Sequence, residues 1–285
     1  MGMRSNKPSN KRYRPFKTLP FDLLTPEETD LKVLEMADTF NYYMDGLHRS
    51  SILLDNPKQK KMCHKRASDN SRYTQIGIEK IKEKLHKRLS AYPATFGIMI
   101  TTTVADPPEK QPKYDGKKSI EAWRTINARG REFTNEINKW RNRHGLKTVR
   151  AYVKVLENQP GRNYPHLHIY FPGLKLLAPI QMMQKLWPEG NVDYEYTQST
   201  SPVNYITKYL SKMDGRDFMN LMLYSFDLRL YSNSKGLKYA AIVKTDKGWK
   251  FLSAGTYSAI SDQISQYLKA GYSLTNTTLI QARGG

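Results

Sequence analysis

Residues 148–171 restrict the fold more than any other stretch, because they predict a β-hairpin. The runs TVRAYVKVLE (148–157) and HLHIYF (166–171) are rich in β-branched and aromatic residues, and the turn-forming sequence NQPGRNYP separates them. Two strands joined by a short turn lie antiparallel and side by side in a sheet. The hairpin therefore fixes two neighbouring strands around which the other elements must be arranged.

The flanking segments predict the remaining elements of one unit. ATFGIMITTTV (94–104) is apolar and β-branched, which indicates a buried strand, and residues 119–143 indicate a long helix. A helix (178–186), a strand (191–197) and a helix (202–212) follow the hairpin. The order β-α-β-β-α-β predicts an α+β fold with a ferredoxin-like, split βαβ antiparallel sheet and helices on one face. The apolar residues of the long helix recur at helical spacing: Trp123, Ile126, Phe133, Ile137 and Trp140.

We expect three regions along the chain: a basic arm and helical extension (1–90), a core (91–235) and a C-terminal extension (236–285). The first twenty residues hold six Lys and Arg and no acid, which indicates a mobile basic arm or a solvated tail. A helix is predicted to begin at Thr25, where Glu28 completes a capping box, and to run to about Met44. A basic helix is predicted at the end of residues 58–90, in GIEKIKEKLHKRLSAY.

The charge of the chain indicates a polyanionic partner. Lys and Arg number 46 against 26 Asp and Glu, a formal net charge of +20. No apolar run approaches the ~20 residues of a membrane-spanning helix, so nucleic acid is favoured over membrane and a cytoplasmic location is expected. The single cysteine, Cys63, leaves no disulfide framework and no cysteine cluster for zinc.

The hairpin carries a candidate metal site. Alternate residues of a strand share a face, so His166 and His168 point the same way. Glu157 ends the preceding strand on the parity of Val153 and Val155, an otherwise apolar face where a carboxylate needs a partner. A His, His, Glu set with open positions suits Mg²⁺ or Mn²⁺, and also non-haem iron. Two histidines at this spacing also occur in ordinary cores and surfaces.

The segment VNYITKYLSK (203–212) carries a candidate nucleophile. Tyr205 and Tyr209 are four residues apart and so share one face of a helix, and Lys208 and Lys212 each follow a tyrosine by three. Such a stripe can be a half-buried amphipathic face. It can also be catalytic, because nearby cations favour the phenolate form of a tyrosine whose ordinary pKa is about 10.

These segments, in this order, resemble the HUH endonucleases, and specifically the two-tyrosine rolling-circle replication initiator (Rep) proteins of plasmids and viruses. FGIMITTTV is similar to the first motif of that family, LENQPGRNYPHLHIYF to the metal motif and YITKYLSK to the nucleophile motif. LRLYSNSKGLKY is similar to a segment that follows the tyrosine helix in some Rep proteins. The resemblance covers about residues 94–240.

The resemblance implies the roles of the site residues. It makes His166 and His168 ligands of one Mg²⁺ or Mn²⁺ ion, with Glu157 at a third position that varies in the family. Tyr209 is expected to make the first cleavage and Tyr205 the second transesterification, with Lys212 as a phosphate or metal-site helper.

The implied reaction nicks single-stranded DNA at an origin hairpin. It leaves a 5′-phosphotyrosine link and a free 3′-hydroxyl that primes a host DNA polymerase. The chain has no GxxxxGK[ST] motif, so a host helicase is expected to unwind the DNA.

Other functions compete with this interpretation. A transposase or a relaxase of the same superfamily would use the same chemistry, although relaxases usually have a third histidine and an N-terminal tyrosine. A cupin or metal oxygenase could use His-x-His with a carboxylate, but in the cupin pattern a Glu follows the second histidine, where this chain has IYFPG. A non-catalytic DNA-binding protein could use the histidines and tyrosines only for packing.

Overall fold

The computed structural model describes residues 16–17, 19–90, 96–104, 116–159, 162–197, 206, 210, 216–234, 236–237 and 250–276. These residues form a mixed α+β structure with two sheets, which confirms the predicted α+β class. None of the helices in this part of the chain is both long and apolar enough to cross a membrane.

The larger sheet has five strands in the order β6-β3-β5-β4-β7, and all neighbouring pairs are antiparallel. Helix α3 (Gly116–Arg143) connects β3 to β4, and α4 (Ile180–Leu186) connects β5 to β6. The predicted order β-α-β-β-α-β is therefore confirmed between residues 97 and 197. The strands are β3 (Gly97–Thr102), β4 (Val153–Asn158), β5 (Pro165–Pro172), β6 (Val192–Thr197) and β7 (Tyr231–Asn233).

The first strand of the hairpin begins later than predicted, at Val153 and not at residue 148. The side chain of Asn138 on α3 forms both backbone hydrogen bonds of Val149. Its Nδ2 donates to the Val149 carbonyl at 3.1 Å, and its Oδ1 accepts from the Val149 amide at 2.7 Å. A backbone satisfied by a helix side chain does not need a strand partner. Tertiary contacts thus override the β-propensity of this stretch.

Helix α3 covers one face of the five-stranded sheet. Trp123, Ile126, Phe133 and Ile137 are fully buried, as their spacing predicts, and Trp140 is partly buried. A Cβ at position 130 would overlap the Leu167 side chain, so Gly130 allows the helix to approach β5 closely. The opposite face carries the residues on the parity of Val153 and Val155.

Two helices from the region before residue 91 pack on this core. Helix α1 (Pro26–Arg49) has the predicted capping box, in which Thr25 Oγ1 accepts from the Glu28 amide at 3.2 Å and Glu28 Oε2 accepts from the Thr25 amide at 2.7 Å. It continues past Met44 to Arg49. The predicted basic helix is α2 (Gln75–Ser90). Two short 3-10 helices lie at Phe21–Leu23 and Ala67–Asn70.

The expectation of a mobile arm over the first twenty residues is wrong for its last part. Residues 1–15 and 18 lie outside the described residues. Phe16 is buried in the main core, and Phe21, just beyond the arm, packs edge to face on Phe226 at 5.9 Å. Aromatic burial therefore holds the chain to the core at Phe16 and Phe21.

A second sheet, which we did not predict, pairs strands from the N-terminal region with strands from the C-terminal region. Its four strands lie in the order β8-β1-β2-β9, and helix α6 (Tyr257–Lys269) contributes to a small core of Leu53, Met62, Ile260 and Ile264. Segments assigned to separate N-terminal and C-terminal extensions thus pair directly. Helix α5 (Arg216–Ser225) precedes β7. The strands are β1 (Ser50–Asn56), β2 (Lys61–Arg66), β8 (Lys250–Thr256) and β9 (Ser273–Asn276).

Lys154 makes the stability of the sheet pH-dependent. Its amine lies beneath α3 and donates to the Gly130 carbonyl and to Thr134 Oγ1. Burial, with a smaller contribution from Arg131, lowers the pKa of Lys154 from 10.5 to about 8. Between these values the unfolded chain binds a proton that the folded chain does not, so the free energy of unfolding rises with pH by up to about 3 kcal/mol.

We predict that Lys154→Met removes this rise. Urea unfolding between about pH 8 and about pH 10 should show a shallower increase in stability for the variant than for the unchanged protein. Lys139→Met, on the exposed side of α3, is the matched control and should keep the full increase. Parallel pH profiles for the unchanged protein and Lys154→Met would contradict the assignment.

Candidate metal centre

The register of the β4-β5 hairpin brings three candidate ligands to one face of the sheet. Glu157 pairs with His166, and Val155 pairs with His168. Side chains directly opposite each other in an antiparallel pair emerge on the same face, with Cβ atoms about 5 Å apart. The structure therefore places Glu157, His166 and His168 together, and we refer to these three residues as the trio.

The donor atoms of the trio are close enough to share one cation. One ligand atom from each residue lies within 4.8 Å of the others. Glu157 Oε2 and His168 Nε2 are 2.6 Å apart, and the two imidazole rings have centroids 6.1 Å apart and planes inclined by 76°. One carboxylate oxygen and two imidazole nitrogens form a donor set that suits Mg²⁺, Mn²⁺ or non-haem iron.

The burial of Glu157 and His168 indicates that the carboxylate needs a partner or a cation. Glu157 and His168 are each 3% exposed, whereas His166 is partly exposed. A buried carboxylate is costly unless it is paired or binds a metal. Glu157 meets this requirement through His168, and a divalent cation between the same atoms would meet it as well. The residues present therefore fit a metal centre.

Thr101 on β3 orients His168 from the other side. Thr101 pairs with His168 across the β3-β5 ladder, and its Oγ1 lies 3.0 Å from His168 Nδ1. When Nδ1 carries the proton and donates it to the hydroxyl, the Nε2 lone pair is directed toward Glu157. A hydrogen bond to the second ring nitrogen is the usual support of a metal-binding histidine. The sequence shows the threonines that end this strand but not their register with β5, so Thr101 received no role there.

The turn of the hairpin is attached to the first part of α3. Ser119 Oγ and Trp123 Nε1 both donate to the Asn163 carbonyl, at 2.6 and 2.8 Å. Asn163 has a φ of 57°, a left-handed conformation that asparagine tolerates better than most residues. Within the turn, the Gln159 amide donates to the Tyr164 carbonyl at 2.8 Å. These bonds hold the end of the hairpin at which Glu157 and His166 face each other.

The predicted nucleophile segment falls largely on residues without a described position. Tyr205, Lys208, Tyr209 and Lys212 all lie outside the described residues. Ile206 and Leu210, which follow the two tyrosines, are helical and fully buried in the main core. The roles of the tyrosines and lysines therefore stay predictions.

We predict that Thr101→Val lowers the affinity for Mn²⁺ by about 10-fold to 100-fold, because the isosteric valine removes the hydrogen bond that orients His168. Thr101→Ser keeps the hydroxyl and should bind nearly as tightly as the unchanged protein. Titration calorimetry with Mn²⁺ measures both variants, and thermal unfolding without metal checks that they fold. An unchanged Mn²⁺ affinity in Thr101→Val would count against this role.

The trio lies within a segment of the chain that matches the model of a known protein family. Residues 98–214 match the family model described as Replication-associated protein ORF2/G2P. No curated protein and no solved structure matches the chain significantly. The matched residues begin within β3 and include Glu157, His166, His168 and both tyrosines of the predicted nucleophile segment. The match supports a replication initiator of the Rep type, and with it a role in DNA replication.

Proposed function

We propose that this protein initiates rolling-circle replication by nicking and rejoining single-stranded DNA at a specific sequence. The observation that carries the proposal is the trio, a buried carboxylate and two imidazoles on one sheet face. It lies within the residues that match a replication-associated family. The formal net charge of +20 fits a nucleic-acid substrate.

The five-stranded sheet is proposed to be the ferredoxin-like core of an HUH endonuclease of the two-tyrosine type. Strand β5 lies between β3 and β4, which run in the same direction and are connected through α3. This strand arrangement is the split βαβ unit. In the proposed core, the HUH histidines are His166 and His168 on the central strand β5.

His166, His168 and Glu157 would hold one Mg²⁺ or Mn²⁺ ion. When bound, such a cation withdraws charge from an oxygen of the scissile phosphate. With the Thr101 hydroxyl accepting from His168 Nδ1, the ring would keep the orientation and tautomer that binding requires. Glu157 supplies the negative charge that makes the buried site selective for a cation over a neutral ligand.

The remaining predicted residues would carry out a tyrosine transesterification. The phenolate oxygen of Tyr209 attacks phosphorus in line, a tyrosine O–P bond forms, and the bond from phosphorus to the 3′-oxygen breaks. The 3′-oxygen leaves with the bonding electron pair and takes up a proton, which yields a free 3′-hydroxyl and a 5′-phosphotyrosine link. Lys208 and Lys212 favour the phenolate and balance the charge of the phosphate. Tyr205 performs the second exchange, which rejoins the strand.

The reaction needs no nucleotide hydrolysis, because one phosphodiester replaces another. The proposed substrate is single-stranded DNA at an origin hairpin. The free 3′-hydroxyl would prime a host DNA polymerase, and a host helicase would supply unwinding, since the sequence has no P-loop motif.

The competing functions have less support. A transposase or relaxase of the same superfamily would share the chemistry, and the matched family favours replication. A cupin requires a closed or double-sheet β architecture, whereas the sheet that carries the trio is a five-stranded layer with β6 and β7 as its edges among the described residues. A purely DNA-binding role does not account for a buried carboxylate that faces two histidines.

The division of labour between the tyrosines is tested by removing only their hydroxyls. We predict that Tyr209→Phe loses most of the covalent adduct with a linear single-stranded oligonucleotide, at least about 100-fold, because the nucleophile of first cleavage is absent. Tyr205→Phe should keep first cleavage and lose strand transfer, and the double variant should form no adduct. The substrate is selected from a random oligonucleotide pool with Mn²⁺. Denaturing gels measure the adduct, and mass spectrometry identifies the linked residue.

His168→Ala serves as a control in the same assay. It should form no adduct but bind the oligonucleotide nearly as well as the unchanged protein, because polyanion affinity comes from dispersed Lys and Arg. An adduct in the double tyrosine variant, linked through another residue, would make the nucleophile assignment wrong even with an intact metal centre.

A further inference from the structure

A cavity of about 440 Å³ lies between helix α2 and the edge strand β7. We propose that this cleft binds backbone phosphates of the single-stranded DNA next to the metal centre. The inference rests on the proposed function, which it extends by giving the N-terminal segment a role in holding the substrate. We name the cavity the arginine cleft after three of its lining residues: Arg72, Arg88 and Arg229.

Side chains from the N-terminal segment and from the sheet edge build the arginine cleft together. Arg88 Nη1, near the end of α2, donates to Tyr231 Oη at 3.2 Å and to Asn233 Oδ1 at 3.0 Å, and both acceptors belong to β7. Arg72 Nη2 donates to Tyr73 Oη at 2.7 Å and lies 3.9 Å from Asp227 Oδ1. These contacts fix the two guanidinium groups before any ligand binds, which lowers the entropic cost of binding.

The chemistry of the lining suits phosphate. The lining residues include three arginines and no carboxylate. A guanidinium carries five N–H donors in a planar fork that matches two phosphate oxygens, so contacts with Tyr231 and Asn233 are compatible with a further contact to a phosphate. Arg229 is exposed to solvent and so accessible to a ligand.

The position of the arginine cleft connects it to the trio. Tyr231 pairs with Val155, and Val155 pairs with His168, so the three side chains form one row on the same face of the sheet. Neighbouring strands are about 4.8 Å apart, which puts β7 about 10 Å from the strand that carries the histidines. Val155, between them, is fully buried, so a DNA strand would pass around the covered part of this face, and a separation of about 10 Å is short enough for one strand to reach both the trio and the arginine cleft. This proximity to the proposed substrate site favours nucleic acid over an acidic peptide as the occupant.

The test is a thermodynamic cycle between arginine and phosphate. The probe is a single-stranded oligonucleotide selected for affinity from a random pool, and a scan replaces one phosphate at a time by an uncharged methylphosphonate. In the unchanged protein, we expect the loss of one or two phosphates on one side of the bound site to weaken binding about tenfold. In Arg229→Gln and in Arg88→Gln, the same replacements should cause little further loss, since one partner is already missing.

Arg143→Gln is the matched control, because it makes the same change of charge on an exposed residue at the last turn of α3. That turn lies roughly 35 Å along the helix from Ser119, which contacts the hairpin turn near the trio. The control should keep the full response to every methylphosphonate. Circular dichroism and thermal unfolding check that each variant is folded.

Two results would overturn the arginine cleft as a phosphate site. One is the absence of coupling at every position of the scan. The other is an equal loss of affinity for polyglutamate in the variants, which would indicate a site for acidic peptides. The cycle measures affinity alone, so it is independent of cleavage. A protein that shows the coupling but forms no adduct with Mn²⁺ would contradict the proposed nuclease function and leave the arginine cleft standing.

Discussion

The contact between Glu157 and His168, 2.6 Å long and almost completely buried, is the interaction on which the candidate site depends. A lone carboxylate buried at this position would cost several kcal/mol, so it is tolerable only with a partner or a cation. The hairpin register sets the contact, because a slip of one residue between β4 and β5 would put Glu157 and the two histidines on opposite faces. The pairing of β4 with β5 therefore determines the position of all three candidate ligands.

The elements around the hairpin keep this register in place. On one side, α3 lies close to β5 at Gly130 and binds the turn through Ser119 and Trp123. On the other side, β3 contributes the Thr101 hydroxyl to His168. Helix α2 then adds Arg88 at the far edge of the same sheet.

The sequence predicted the parts of the structure that depend on local pattern. Apolar periodicity found α3, β3 and the hairpin, and strand parity placed Glu157 on the same side as the histidines. Long-range pairing could not be predicted from local pattern: β1 pairs with β8 and β2 with β9, each about 200 residues later along the chain. Thr101 was missed for the same reason, because its role depends on which strands pair. Val149 shows the reverse case, in which a contact with Asn138 overrides local propensity.

The central claim is that Glu157, His166 and His168 form one divalent metal centre, and histidine NMR tests it most directly. The chain has 6 histidines, so ¹⁵N-histidine labelling gives a spectrum that single substitutions can assign. Substoichiometric Mn²⁺ should broaden the His166 and His168 signals through paramagnetic relaxation, and Glu157→Gln should abolish the effect. Signals of His48, His64, His86 and His144 should persist. Broadening of those four, or no selective broadening of His166 and His168, would contradict the account.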